Sequence, residues 1–249
     1  MNSETTFPLI SRFSGWGGGD LGAKQAGFTT VFAADFDKNS VVNHRLNFPE
    51  TPIYQEDVTN ITPSQTLELS GLSFSDYYGY LGTPSCQGIS IAGKFNPYNP
   101  LNTLMLGEPF FIAHLKPAFF MIENVASLNR GKMNILKSLF VEQIENWLGD
   151  YEVREGVLNA NDYGVPQSRK RYILIGFRKD LEIIPEFPIP NVYKPSIEDA
   201  LPYVDGIAFG YGGKNFRPYY KPCPTLTKTE NLWKVFGSRK YQLQEEEIL

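Results

Sequence analysis

At 249 residues, with 42% hydrophobic and 20% charged residues, the chain has the composition of a folded globular protein and can bury a sizeable core. Its net charge of -4 argues against a surface that is basic throughout, and no uninterrupted apolar run approaches the roughly 18 residues of a membrane helix. The start MNSETTFPLISRF lacks the basic and long apolar stretches of a secretory signal, so a cytoplasmic protein without membrane attachment is expected. The two cysteines, Cys86 and Cys223, have neither disulfide-framework nor metal-ligand spacing, so a reduced setting and no metal site are expected.

PLISRF reads as a first strand, followed by a glycine-rich turn and a helix over about residues 20–26. TTVFAADF is the second strand and residues 37–47 the next helix; TPIYQEDV and SFSDYYGYLG read as the third and fourth strands, the latter delivering GTPSCQ at its carboxyl end. AFFMIENV and RYILIGF are further strands, with the amphipathic helix NILKSLFVEQIENWL between them. This alternation predicts an α/β fold with a mostly parallel sheet and helices on both faces, whose ligands bind beyond the carboxyl ends of the strands. After Phe177 the proline-rich IIPEFPIPNVYKPS reads as an extended connection, so a boundary is expected near Lys179, with domains over 1–179 and 180–249. The later part is expected to be a small irregular segment holding a short helix at IEDALPYV, the glycine-rich AFGYGGKNF and a helix start at QEEEIL. Residues 206–240 carry seven basic side chains against the single acid Glu230, a balance that suits either a polyanion or a solvated face.

Glycines 15, 17, 18 and 19 fall between a strand and a helix, where a missing side chain lets the backbone turn sharply and approach a ligand. The Gly-x-Gly-x-x-Gly dinucleotide pattern is not met, and a tight turn accounts for the cluster equally well. Asp35 ends the second strand, where an acid accepts hydrogen bonds from ribose hydroxyls, and the pair points to a nucleoside-containing cofactor. Phe36 suits stacking on an adenine and Asp57 suits an exocyclic amine; a core aromatic and a helix N-cap are the alternatives. Cys86, beside Pro84 and Gly88 at a strand end, is either an exposed thiolate nucleophile or an inert buried thiol. Glu123 follows four apolar residues to the end of another strand, where burial would raise its pKa towards a role as acid. Arg169 and Arg171 alternate along a strand entry, presenting two cations to an anion or carbonyl, or serving as ordinary edge charges.

Together these residues resemble the cytosine carbon-5 DNA methyltransferases. Phe13-Ser14-Gly15-Trp16-Gly17-Gly18 is similar to the family's cofactor loop, Asp35-Phe36-Asp37 to its second motif, and Asp57-Val58 falls at the adenine-binding position. Pro84-Ser85-Cys86-Gln87 resembles the nucleophile motif, Glu123-Asn124-Val125 the Glu-Asn-Val motif, and the segment from Asn159 through Arg171 the stretch ending in Gln-x-Arg-x-Arg. The likeness is nearly continuous over residues 9–178. It implies a Rossmann-like class I methyltransferase fold and S-adenosyl-L-methionine as cofactor, leaving S-adenosyl-L-homocysteine. The cofactor would be bound by Phe13, Ser14, Gly15, Gly17, Gly18, Asp35, Phe36, Asp57, Val58 and Pro84. By the same resemblance Cys86, Glu123, Arg169 and Arg171 are catalytic, and Gln87, Ser90, Asn124, Val125 and Gln167 contact the substrate, a cytosine flipped out of duplex DNA. Residues 1–179 would then be the catalytic domain and 180–249 a linker with a reduced or truncated target-recognition region. Residues 221–227, KPCPTLT, are similar to a later Pro-x-Pro-Thr motif, which makes Cys223 structural.

Three features depart from the pattern. Ser85 stands where the family has a proline, and Leu101-Asn102 where it often has Arg-Asn. Only about fifty residues separate Arg171 from the Pro-x-Pro-Thr motif, and a terminal Gly-Asn-x-Val motif is missing. The chain is therefore expected to be one subunit of a split enzyme, its partner supplying the missing motif, or a truncated form. A transfer-RNA cytosine methyltransferase and a catalytically silent DNA-binding or regulatory subunit are the alternatives.

Overall fold

A computed structural model describes residues 6–85, 88–89, 95–202, 205–209, 215–218, 220–224, 233–236 and 239–242. In it the segment Phe7–Arg12 forms β1 within a sheet. Contacts along the chain divide it into two units, Met1–Gly156 with Tyr172–Glu186 and Val157–Arg171 with Phe187–Leu249. The expected boundary near Lys179 falls inside the first of these, because the strand entering at Lys170 completes the first unit's sheet and carries the chain through to Arg178.

In the first unit β1 pairs in parallel with β2 (Phe28–Asp35) and β4 (Gly79–Gly82), β2 with β3 (Ile53–Gln55), and β4 with β5 (Phe119–Val125). With β6 (Tyr151–Asn159) and β8 (Lys170–Arg178), the seven strands run in the order β3-β2-β1-β4-β5-β8-β6. The N–H of Arg178 donates to the Ala118 carbonyl and that of Lys179 to Asp150, so β8 ends beside the starts of both neighbours and runs antiparallel to them. The α/β fold and the mostly parallel sheet read from the sequence are both present.

Successive residues of β2 show why the sheet is covered on both faces. Phe32 and Ala34 join a core with Leu67 of α3 (Pro63–Ser70), Met105 of α4 (Asn102–Leu106), Ile112 of α5 (Glu108–Leu115) and Phe140 of α6 (Asn134–Trp147). Ala33, pointing the other way, packs with Val41 of α2 (Lys38–Asn47) and with Ile53. Tyr78, Phe32, Phe120 and Phe140 are fully buried, and each such side chain contributes about 1.5–3 kcal/mol on leaving water.

α1 (Gly18–Gln25) carries an acid into this interior. Asp20 accepts hydrogen bonds from Ser11 Oγ at 3.2 Å and Thr30 Oγ1 at 2.8 Å, and lies 3.3 Å from Nε2 of the fully buried His44. His44 Nδ1 has no partner among the described residues, which suits a ring carrying its proton on Nε2. Asp20→Ala would leave three buried donors without an acceptor and is expected to cost about 3 kcal/mol, seen as a lowered Tm; an unchanged Tm would refute this account.

Several elements differ from the sequence reading. The fourth strand covers only Gly79–Gly82, because Asp76 accepts from the N–H of Ser73 at 2.6 Å and closes a turn ahead of it. The third ends at Gln55, before a 3-10 turn at Val58–Asn60. The helix α3 carries a threonine capping box at Thr62 and Gln65, Pro63 in its first turn and Gly71 at its end. The edge strand β6 was not expected, since most of its side chains are exposed and its apolar alternation is correspondingly weak.

In the second unit β7 (Gln167–Ser168) pairs in parallel with β11 (Cys223–Pro224), and α7 covers Ile197–Ala200. Here the segment expected to be irregular holds a four-stranded antiparallel sheet, β10 (Asn215–Pro218), β9 (Gly206–Phe209), β12 (Trp233–Phe236) and β13 (Arg239–Gln242) in that order. Strands of four residues set between glycine clusters offer too little alternation to be read locally. The helix start QEEEIL lies outside the described residues. Among those described, no helix is long and apolar enough to cross a membrane.

Candidate active site

Register places the candidate residues of the first unit on one edge. Arg12 stands opposite Ala34 on one side and Gly82 on the other, Ala34 opposite Tyr54, and Gly82 opposite Ile122. β1, β2, β3 and β4 therefore end within one residue of each other while β5 runs on to Val125, and the loops after Arg12, Asp35, Gln55, Gly82 and Val125 leave from the same side. β1 is also where the strand order reverses, with β2 and β3 to one side and β4 and β5 to the other, the position at which open α/β sheets bind ligands.

The turn after β1 is built from left-handed backbone, at φ 58° for Phe13, 56° for Gly15 and 91° for Gly17. Ser14 donates to the Ala34 carbonyl through both its N–H and its hydroxyl, each at 3.1 Å, and its Oγ accepts from the Ala34 N–H at 3.0 Å. The N–H of Gly15 donates to Asp35 Oδ2 and that of Asp37 to Asp35 Oδ1, both at 2.9 Å. Asp35 thus fastens the glycine turn to the end of β2 while each carboxylate oxygen keeps accepting capacity. A side chain added at Gly18 would meet nothing within 4 Å, so this turn has an open cradle. Phe36 is 67% exposed, which removes the core-aromatic alternative.

Asp57 realises the N-cap alternative. Its Oδ1 accepts from the N–H of Thr59 at 2.9 Å and its hydroxyl at 2.7 Å, and these bonds hold the carboxyl below its usual range. Val58 is buried and turns its carbonyl inward. Phe13 and Val58 line a cavity of about 250 Å³ together with Arg12, Ile61, Glu108 and Phe111. A larger cavity, about 420 Å³, sits among Phe7, Phe28, Phe119 and Phe177 at the opposite end of the strands. Its lining is wholly apolar, so it offers no group for chemistry.

Cys86, Gln87 and Ser90 lie outside the described residues. Around them in sequence the backbone is held at several points. Thr83 Oγ1 donates to the Phe13 carbonyl at 2.8 Å, Asn124 Nδ2 to the Pro84 carbonyl at 3.2 Å, the N–H of Asn96 to Gly88 at 2.8 Å, and Ser127 Oγ to Ile89 at 3.0 Å. Asn124 is 1% exposed, whereas Glu123 and Val125 alternate to the other side of β5 and are half-buried. Asn102 is buried and spans the Asn96 and Pro97 carbonyls, while Leu101 is 37% exposed. Gln167, Arg169 and Arg171 belong to the second unit, where the Arg169 carbonyl accepts from the N–H of Ala160 at 2.9 Å and Arg171 Nη1 donates to the Lys170 carbonyl at 2.8 Å. Cys223 is buried in β11, and its N–H donates to the Pro166 carbonyl at 2.8 Å.

Sequence reasoning missed the clasping residues Thr83 and Ser127 and the buried trio Arg12, Tyr80 and Glu108. Burial raises the carboxyl of Glu108, against the pull of Arg12 and of the Tyr80 hydrogen bond, and raises the Tyr80 hydroxyl well above its ordinary value. The one signal for this trio was a cation ending an otherwise apolar strand, PLISRF.

Comparison with known proteins identifies the family. The family described as C-5 cytosine-specific DNA methylase matches residues 7–248. Type II methyltransferase M.XorII of Xanthomonas oryzae pv. oryzae is 36% identical over 182 residues, covering 73% of this chain and 43% of that protein. Type II methyltransferase M.DdeI of Desulfomicrobium norvegicum is 32% identical over 214 residues, 83% of this chain and 50% of its own length. The chain thus spans about half the length of these relatives, but 76% of Type II methyltransferase M.AquIA of Picosynechococcus, to which it is 36% identical over 190 residues or 74% of its own length. Among solved structures, a protein described as a DNA modification methyltransferase encoded within an E. coli prophage is 27% identical with a TM-score of 0.66, over 83% of this chain and 58% of that one. With the glycine turn, the strand-end acid and the Glu-Asn-Val strand in one order on one sheet, and the family match running almost from end to end, this chain belongs to the C-5 cytosine-specific DNA methylases.

Proposed function

We propose that this chain transfers a methyl group from S-adenosylmethionine to carbon-5 of a cytosine in duplex DNA; its family is described as C-5 cytosine-specific DNA methylase, and its relatives are named Type II methyltransferases. The observation that carries the reading is the family match over residues 7–248, supported by a sheet edge from which the loops after β1, β2, β3 and β4 leave. The residues present suit the cofactor. Gly15 and Gly17 supply left-handed backbone, Gly18 faces open space, Asp35 retains lone pairs for ribose hydroxyls, and Phe36 offers an exposed ring for the adenine.

S-adenosylmethionine, when bound, would supply a methyl group from its sulfonium sulfur, leaving S-adenosylhomocysteine. Cys86, as thiolate, adds to carbon-6 of a cytosine turned out of the helix, because stacking otherwise hides the ring from the thiol. Glu123 hydrogen-bonds ring nitrogen 3 and the exocyclic amine, so that as the carbon–sulfur bond forms the electron pair of the carbon-5–carbon-6 double bond is left on carbon-5, which takes the methyl group. Loss of the carbon-5 proton then expels the Cys86 thiolate and restores the aromatic ring. Asn124 holds the Pro84 carbonyl and so positions the start of the nucleophile loop. Roles for Gln87, Ser90 and Val125, and for Gln167, Arg169 and Arg171 in contacting the base, rest on the resemblance alone.

The test is transfer of labelled methyl groups from S-adenosylmethionine to duplex DNA and, in parallel, to transfer RNA. Label recovered from DNA as 5-methylcytosine is the expected result. Label confined to transfer RNA would replace DNA with RNA as substrate, and none in either nucleic acid would leave a silent binding subunit.

A further inference from the structure

Arg12 ends β1 immediately before the glycine turn and is 5% exposed. Its Nη1 donates to Glu108 Oε1 at 2.8 Å and to the Tyr80 hydroxyl at 3.3 Å, and its Nη2 donates to the Val58 carbonyl at 3.0 Å. The Tyr80 hydroxyl donates in turn to the other oxygen of Glu108, and the guanidinium carbon lies 3.6 Å from the centre of the Phe111 ring. Gly82 makes room for this cluster, since a Cβ there would stand 2.3 Å from Glu108 Oε2. One guanidinium therefore joins the ends of β1 and β4, the first turn of α5 and the turn after β3.

An ion pair this deep is a poor source of stability. Removing both charges from water offsets most of their attraction, and apolar residues of like volume often serve as well. A planar fork with its donors engaged is better suited to holding geometry. What it holds here is the Val58 carbonyl, next to Asp57, at a set distance from the Phe13 turn that follows Arg12 in the chain. Both turns line the cavity of about 250 Å³ in which Arg12 and Glu108 are themselves wall residues.

We propose that Arg12, locked by Glu108 and Tyr80, is a positioning residue that sets the spacing between the Phe13 turn and the Asp57–Val58 turn for the nucleoside end of the cofactor. The inference rests on the S-adenosylmethionine reading above. It gives Arg12 no part in methyl transfer and requires no contact between Arg12 and the cofactor.

The test measures S-adenosylhomocysteine binding by calorimetry, and Tm, for the unaltered chain, Arg12→Met, Arg12→Lys and the double variant Arg12→Met with Glu108→Gln. Glutamine keeps an acceptor for Tyr80 and removes the charge that Arg12→Met alone would strand. Arg12→Met is expected to lose both Tm and about tenfold to a hundredfold in affinity, the range that misplacing a binding group costs. The double variant is expected to regain most of the Tm and none of the affinity, and Arg12→Lys, with one point charge in place of a fork, to fall between. Affinity that returns along with Tm in the double variant would make the cluster merely structural and overturn the inference, as would Arg12→Met or the double variant binding like the unaltered chain. Failure of the unaltered chain to bind S-adenosylhomocysteine would overturn the cofactor reading itself, a result distinct from unchanged binding across all the variants.

Discussion

Replacing Cys86 with serine is expected to abolish methyl transfer, by on the order of 10⁴-fold or more, while leaving S-adenosylhomocysteine affinity unchanged. The size of the loss follows from the chemistry. A thiolate is populated near neutral pH and is intrinsically nucleophilic, whereas a serine hydroxyl at the same place needs a base to activate it. The cofactor should be indifferent, because apart from Pro84 the residues proposed to hold it lie after β1, β2 and β3. Duplex DNA containing 5-fluorocytosine gives a separate check. Fluorine at carbon-5 cannot leave as a proton does, so the unaltered chain should be trapped on the DNA and Cys86→Ser should not. An adduct that persists in Cys86→Ser would assign the attack to another residue.

Gly17→Val should be nearly as damaging, but to the fold. Gly17 caps α1 at φ 91°, in the left-handed region that a β-branched residue scarcely adopts. A Cβ there would stand 2.2 Å from Phe48 Cε2 and 3.1 Å from His44 Cδ2. Neither ring yields easily. The two rings pack with centroids 5.0 Å apart, and His44 is itself held against Asp20. Backbone strain and overpacking together are expected to cost about 3–5 kcal/mol, measured as a fall in Tm and in the urea midpoint. Gly18→Ala is the contrasting variant. Nothing lies within 4 Å of its new Cβ, so Tm should hold while S-adenosylhomocysteine affinity falls as the methyl group enters the open cradle. A Gly17→Val chain as stable as the original would show that the turn can be rebuilt without its left-handed residue.

The central strands and the glycine turn were legible because their signals are local. Ile10, Phe32, Phe120 and Ile122 sit in short apolar runs bounded by glycine or acidic residues, and such runs mark strands wherever they fall in a chain. Local signals also misled. SFSDYYGYLG was read as one strand because its aromatics suit a strand, yet the Asp76 carboxylate bonds the Ser73 N–H and spends those residues on a turn. The edge strand β6 went unread because only its first residue is buried, leaving no alternation to detect.

By itself, then, the sequence determined the α/β class, the order of the motifs and the family to which the chain belongs, because each of these is written in residues close together along the chain. The tertiary structure decided what lies between alternatives or far apart in sequence. It exposed Phe36, gave Asp57 its cap on the turn after β3, brought the ends of β1, β2, β3 and β4 within one residue of each other, and brought Arg12 to Glu108, 96 positions away. Burial of a charge beside its partner depends on how the sheet and helices pack, and no periodicity in a single segment encodes it.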